Sequence, residues 1–174
     1  MSVPTYALAA WSGSGKTSFL EKLLPALKER GLRVAVVKHD GHDFELDREG
    51  KDTWRLTRAG ADVTAIVSAT HAAVMENRPV PLEEVVAGIQ NVDLILVEGA
   101  KSGPWKKILF YRAGAGKPPA ADPKRCAAVV TDTPLDTRAP SFALEDAAGL
   151  ADWLTERVRN YAELTIDLDR AFAG

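Results

Sequence analysis

The chain has 174 residues, a length that makes one domain with a substantial core. Its formal net charge of -2, with 26% charged and 46% hydrophobic residues, describes an ordinary globular protein and excludes the basic bias of a general nucleic-acid or anionic-membrane binder. The single cysteine, Cys126, rules out an internal disulfide and points to a reducing compartment, while its setting in "RCAAVV" predicts a buried strand residue. The stretch "MSVPTYALAAWSG" lacks the basic start and long apolar core of a signal peptide, and no apolar run approaches the ~20 residues of a membrane span. The expected location is the cytoplasm.

In chain order, "PTYALAA" (4–10) is a short apolar run that predicts a first strand, followed by a Gly/Ser turn. "KTSFLEKLLPALKERG" places Phe19, Leu20, Leu23, Leu24 and Leu27 at helical spacing, with Pro25 inside and Gly31 closing the helix. "RVAVVK" (33–38) is a second β-branched strand, and the polar stretch "HDGHDFELDREGKD" leads to a helix over "DTWRLTRAGA". "VTAIVS" (63–68) and "AAVME" (72–76) read as strands, and "PLEEVVAGI" as a short helix with Pro81 near its start. "DLILVEG" (93–99) is the most apolar strand; "KKILFYR" and "CAAVVT" follow, divided by the loose segment "AGAGKPPAADPK". "EDAAGLADWLTERV" makes a last amphipathic helix, and the residues beyond Tyr161 read as its extension or as a packing tail. Strands alternating with helices predict an α/β fold, with a mostly parallel sheet covered on both faces and a ligand along one edge.

That order gives "WSGSGKTS" its meaning. A phosphate-binding loop must leave a strand and open a helix, because the helix N-terminus supplies backbone N–H groups and the positive dipole end. A flexible Gly/Ser linker is the bland alternative, but "PTYALAA" and "KTSFLEKLL" provide the strand and the helix. Ala10 stands where such loops carry their first glycine, a change that strand-exit geometry accepts while φ stays negative. Gly13 and Gly15 let the amides approach phosphate oxygens; Ser12, Ser14 and Ser18 add hydroxyl or backbone donors. Lys16 would reach the β- and γ-phosphates, and the Thr17 hydroxyl would ligate Mg²⁺. Glu98, closing "LILVE", is the expected carboxylate at the magnesium. Asp52 in "GKDTWR" is a second metal candidate and equally a helix N-cap, with Asp40, Asp43 and Asp47 as competitors.

The remaining polar groups are weighed in the same way. His39 and His42, with Asp40 and Asp43, invite a transition-metal reading, but zinc needs about four close ligands and only His71 remains elsewhere; solvated loop residues are the expectation. Lys38 ends the second strand and would face the same crevice as Lys16. Lys101, Lys106, Lys107 and Arg112 form a basic run that either holds an anionic partner or a phosphorylated ligand, or is simply a solvated loop leading to an amphipathic strand. Asp132 in "VVTDTP" is a turn residue or a reader of guanine, whose N1–H and N2 amine make a donor pair that adenine lacks. No fixed glutamine or arginine finger is evident, though Arg55 or Arg58 could supply charge, so slow turnover is expected.

"WSGSGKTSFLEKLLPALKERGLRVAVVKHD", "HDFELDREGKDTWRLTRAGA" and "LILVEGAKSGPWKKILFYR" together resemble the molybdopterin-guanine dinucleotide biosynthesis adaptor family, MobB, over most of residues 6–112. The resemblance implies a phosphate-loop fold in a typically homodimeric GTP-binding protein with weak GTPase activity. Such a protein assists the guanylyltransferase that attaches GMP to molybdopterin, with Thr17 and Glu98 near magnesium. Whether the molybdopterin cofactor itself is bound stays open. Two residues depart from the pattern: Ala10 replaces a glycine, and Ala100 stands where an aromatic often follows "VEG". "VEGAKSG" is also similar to a segment of dethiobiotin synthetase, an ATP-dependent ligase, in which Lys16 and Lys38 would contact phosphate and carbamate. A nucleotide switch without catalytic output is a third reading.

Overall fold

The computed structural model describes residues 3–42, 44–100 and 102–172, with side chains described through 162. The elements are β1 (Thr5–Ala9), α1 (Lys16–Glu29), β2 (Val34–Lys38), α2 (Asp52–Arg58), β3 (Val63–Val67), β4 (Ala72–Glu76), α3 (Leu82–Gly88), β5 (Leu94–Glu98), β6 (Lys106–Tyr111), β7 (Ala128–Thr131), β8 (Ser141–Phe142) and α4 (Ala147–Phe172). Two compact units emerge: Met1–His39 with Val86–Gly174, and Asp40–Val85.

The larger unit is built on a six-stranded sheet in the order β2-β5-β1-β6-β7-β8, parallel throughout. The strands β1, β5 and β7 are near-continuous apolar runs buried on both faces, whereas β2 at the sheet edge leaves Val36 exposed. On one face Leu8, Leu96, Ile108 and Phe110 pack against Phe19, Leu23 and Leu27 of α1 and Leu150 and Leu154 of α4. Phe19 and Phe110 meet edge to face with ring centroids 5.3 Å apart. On the other face Ala9, Leu109 and Val129 lie under Ala120, Ala121, Leu135 and Ala139. Pro25 lies on the exposed side of α1, away from the buried stripe of Phe19, Leu20, Leu23 and Leu27. The helix closes as expected at Gly31: its N–H donates to Lys28 O at 2.9 Å and that of Leu32 to Leu27 O at 3.1 Å, satisfying the last carbonyls.

Three features differ from the sequence reading. Cys126 is not a strand residue; it follows a single 3₁₀ turn (Pro123–Arg125), half-buried, with its thiol donating to Asp122 O. The two-residue strand β8 was not foreseen, since its pairing with β7 depends on the tertiary fold rather than on any local run. The predicted strands at 63–68 and 72–76 do not join the parallel sheet. In the smaller unit β3 and β4 form an antiparallel pair of their own, with α2 preceding them and Thr57 Oγ1 2.8 Å from Thr64 Oγ1. The chain from Tyr161 continues α4 as helix to Phe172.

Candidate nucleotide site

The loop 10–15 leaves the C-terminal end of β1 and opens α1, at the edge where a parallel sheet presents ligands. Ala10 is buried, and Asn91 is the non-glycine residue with positive φ among those described, so alanine holds the strand exit without backbone strain. Gly13 and Gly15 do have positive φ, +83° and +80°.

The start of α1 is built against the usual rules for a helix N-terminus. Its N-cap, Gly15, has no side chain to accept the free N–H groups, and the first turn holds no acidic residue. Lys16 instead places a cation at the positive end of the dipole. Ser14 is 3% exposed, yet its Oγ has no hydrogen-bond partner among the described residues. Burying a hydroxyl without a partner costs about 1–3 kcal/mol. Orphan amides, a misplaced lysine and an orphan hydroxyl share one remedy, an anion at this turn. Ser12, Thr17 and Ser18 are exposed around it.

Glu98 ends β5, in register with Leu8 of β1 and Lys38 of β2, so the topology carries it to the same edge. Its carboxylate forms an ion pair with the Lys16 ammonium, the two side chains being 19% and 15% exposed. The backbone holds it there: His39 N–H donates to Glu98 O at 2.8 Å. The Thr17 hydroxyl and the Glu98 carboxylate are hard oxygen donors, the chemistry Mg²⁺ accepts, and few protein ligands suffice because water and phosphate complete its shell. No group of three or more His, Cys, Asp or Glu able to hold a metal occurs among the described residues.

Arg112, which the sequence places only in the basic run, also meets the loop. A Cβ built on Gly15 would stand 3.1 Å from Arg112 Nη2, so the guanidinium lies against the helix cap. No local signal marks this placement: it follows from β6 neighbouring β1, with Ala9 opposite Leu109, so that the residues following both strands emerge together. The basic run does not act as one cluster, since Lys106 opens β6 while Arg112 follows its end; Lys107 donates to Gly103 O, and Lys101 lies outside the described residues. The loose segment after β6 is anchored beside the site. Trp11 Nε1–H donates to Pro118 O at 2.8 Å, Lys117 sits 5.4 Å from the Trp11 ring centroid, and Ala113 N–H donates to Asp132 Oδ1 at 2.9 Å. Asp132 therefore follows β7 at this same edge, exposed, with one oxygen tied to the backbone.

Within the smaller unit, Asp52 is the first residue of α2 and Lys51 is its N-cap, so the carboxylate complements the dipole without capping. Arg55 and Arg58 lie in the last turn of that helix, Arg58 over the Trp54 ring at 5.8 Å. Asp47 Oδ1 accepts the Arg48 N–H, and His71 Nδ1 lies 2.8 Å from Thr70 Oγ1. Asp43 lies outside the described residues.

A parallel sheet whose first strand turns through Gly15-Lys16-Thr17 into a helix, with Glu98 on the neighbouring strand end, defines a phosphate-loop NTPase-like α/β protein. Within that class, residues 5–132 match the family model described as "Molybdopterin guanine dinucleotide synthesis protein B", MobB, and the chain belongs to that family. It is 39% identical over 162 residues to the molybdopterin-guanine dinucleotide biosynthesis adapter protein of Escherichia coli, covering 88% of this chain and 93% of that one. It is 34% identical to the protein of the same name from Haemophilus influenzae, over 91% and 92% of the two chains. The crystal structure of Bacillus subtilis MobB superposes with a TM-score of 0.71 at 28% identity, over 88% of this chain and 96% of that one. A urease accessory protein, UreG 2 of Bradyrhizobium, is 34% identical over 95 residues, 49% of this chain and 42% of that one.

Proposed function

We propose that this protein is a GTP-binding adaptor in molybdopterin-guanine dinucleotide biosynthesis, acting with the guanylyltransferase that forms the dinucleotide. The observation that carries the nucleotide part is the start of α1, where a glycine cap, a lysine in the first turn and the orphan Ser14 hydroxyl all await an anion. Loop residues Ser12, Gly13, Ser14, Gly15, Lys16, Thr17 and Ser18 bind the phosphates, with Lys16 released from Glu98 to reach them. Thr17 and Glu98 are the residues that would hold Mg²⁺, which neutralises charge on the β- and γ-oxygens when bound. Asp52 is proposed as a further magnesium contact, supported by its acidity alone. Asp132 reads guanine with the lone pairs that its bond to Ala113 leaves over.

The adaptor part is supported by the names of the E. coli and H. influenzae relatives, each matched over nearly its whole length. Family membership favours this reading over the dethiobiotin synthetase-like ligase. Hydrolysis is weak at most, and the location cytoplasmic; no described helix is long and apolar enough to cross a membrane. Homodimerisation is supported by the β3–β4 pair, which leaves Val63, Ile66, Val67 and Val74 each more than half exposed, since an isolated two-stranded ribbon is marginal until its apolar faces are covered.

Calorimetry with GTP, ATP and GDP tests the site. Lys16→Ala should abolish binding while circular dichroism stays unchanged, and full retention of GTP affinity by this variant refutes the loop assignment. Co-purification with the guanylyltransferase, with and without GTP, tests the partner.

A further inference from the structure

The larger unit carries a concave feature at the opposite end of the strands from the loop 10–15. A pocket of about 340 Å³ lies where α4 crosses the beginnings of β1 and β6, lined by Tyr6, Lys106, Arg125, Cys126, Trp153 and Arg157 together with Ala127. Tyr6 and Lys106 are register partners, placing both near the strand starts. Trp153 and Arg157 stand one turn apart on α4.

Its chemistry is one-sided. Three cations line it with no carboxylate among the lining residues, and none of the three forms an ion pair among the described residues. Arg157 lies 5.3 Å from the Trp153 ring centroid, and Tyr6 meets Trp153 edge to face at 5.7 Å, so the wall is aromatic. The Trp153 Nε1–H is buried without an acceptor among the described residues, a donor left with its full desolvation cost. Burial raises the Tyr6 phenol above its ordinary pKa, against the opposing pull of Arg157, so it stays a neutral O–H donor at physiological pH. Burial, and after it the nearby Asp122 carboxylate, raise the Cys126 thiol against the opposing pull of Lys107, so the thiol itself adds no negative charge to the pocket. Cations without an ion pair among the described residues, a spare indole donor and an aromatic wall in a volume of this size are what a small anionic ligand with a ring requires.

We propose that this pocket binds a small organic phosphate, independently of the nucleotide loop. The phosphate sits among Lys106, Arg125 and Arg157, and the organic part lies on Tyr6 and Trp153. The site stands whether or not the loop binds GTP, because it shares no residue with it.

The test is a titration of the wild-type protein with phenyl phosphate at constant ionic strength, following the tryptophan indole N–H resonances by NMR. Trp153→Phe identifies the Trp153 signal, and Trp11 reports separately on the phosphate loop. The expected result is a saturable shift of the Trp153 signal, with affinity reduced roughly tenfold in the double variant Lys106→Gln/Arg125→Gln. Both replaced residues are exposed, and Arg157 is kept because its loss would disturb the indole directly. A shift confined to Trp11, a Trp153 shift that never saturates, or equal affinity in the double variant overturns the proposal.

Discussion

Gly99 is the residue on which the site geometry turns, and replacing it with alanine should be far more damaging than the same change in the phosphate loop. Gly99 follows Glu98 with φ +87°, a region that costs a residue with a Cβ about 1–2 kcal/mol. A Cβ there would also stand 2.2 Å from His39 O, a backbone atom that cannot swing aside. That carbonyl is pinned, because His39 N–H donates to Glu98 O at 2.8 Å and Lys38 is in register with Glu98. Forcing the ends of β2 and β5 apart adds an overpacking cost of about 1–3 kcal/mol. The sum is about 2–5 kcal/mol, which for a chain of this size lowers Tm by roughly 4–20 °C. Gly13 is the control: its φ is +83°, but nothing lies within 4 Å of its would-be Cβ. Gly13→Ala therefore carries only the backbone cost of about 1–2 kcal/mol. Thermal denaturation followed by circular dichroism compares the two variants. A Gly99→Ala protein at least as stable as Gly13→Ala would refute the argument that close approach at the β5 exit, rather than φ alone, demands glycine.

Three further outcomes follow from the same geometry. Arg112→Gln removes a guanidinium held against Gly15, and should weaken GTP binding roughly tenfold while affecting GDP less, as read by calorimetry; equal losses for both would place Arg112 away from the terminal phosphate. Asp132→Asn keeps an Oδ1 acceptor for Ala113 N–H but loses the carboxylate, so GTP-over-ATP preference should fall by about 1–3 kcal/mol in competition binding; unchanged selectivity removes Asp132 from base reading. Asp93 is held below its ordinary pKa of 3.8, first by the side-chain hydrogen bonds from Arg33 and next by the Arg33 backbone N–H at 2.7 Å. A depressed carboxylate stabilises the fold above its unfolded pKa and loses that contribution as pH falls through the folded value. Melting curves across acidic pH should therefore drop less steeply for Asp93→Asn than for the wild type, and parallel curves would contradict the assignment.

What could be read from residues alone divides along the range of the interactions involved. β1, α1, β2 and β5 were legible because each is specified locally, by an apolar or β-branched run or by a stripe such as Phe19, Leu20, Leu23 and Leu27. That Lys16, Thr17 and Glu98 would come to one sheet edge was legible for a related reason: a strand, a turn and a helix in sequence fix where such a loop points. The closeness of Arg112 to Gly15 was not, because it depends on β6 lying beside β1 in the sheet order, a fact with no local signature. The same sheet order divides the basic run, since the six residues of β6 carry Arg112 to the nucleotide edge and Lys106 to the opposite one. Charges that looked like one patch in the sequence thus lie at opposite edges of the sheet, each beside residues distant in the chain: Arg112 against Gly15 at one edge, Lys106 beside Tyr6 at the other. A parallel sheet makes such separation unavoidable, because every strand delivers its first and last residues to opposite edges, and a basic stretch spanning a whole strand cannot serve a single ligand.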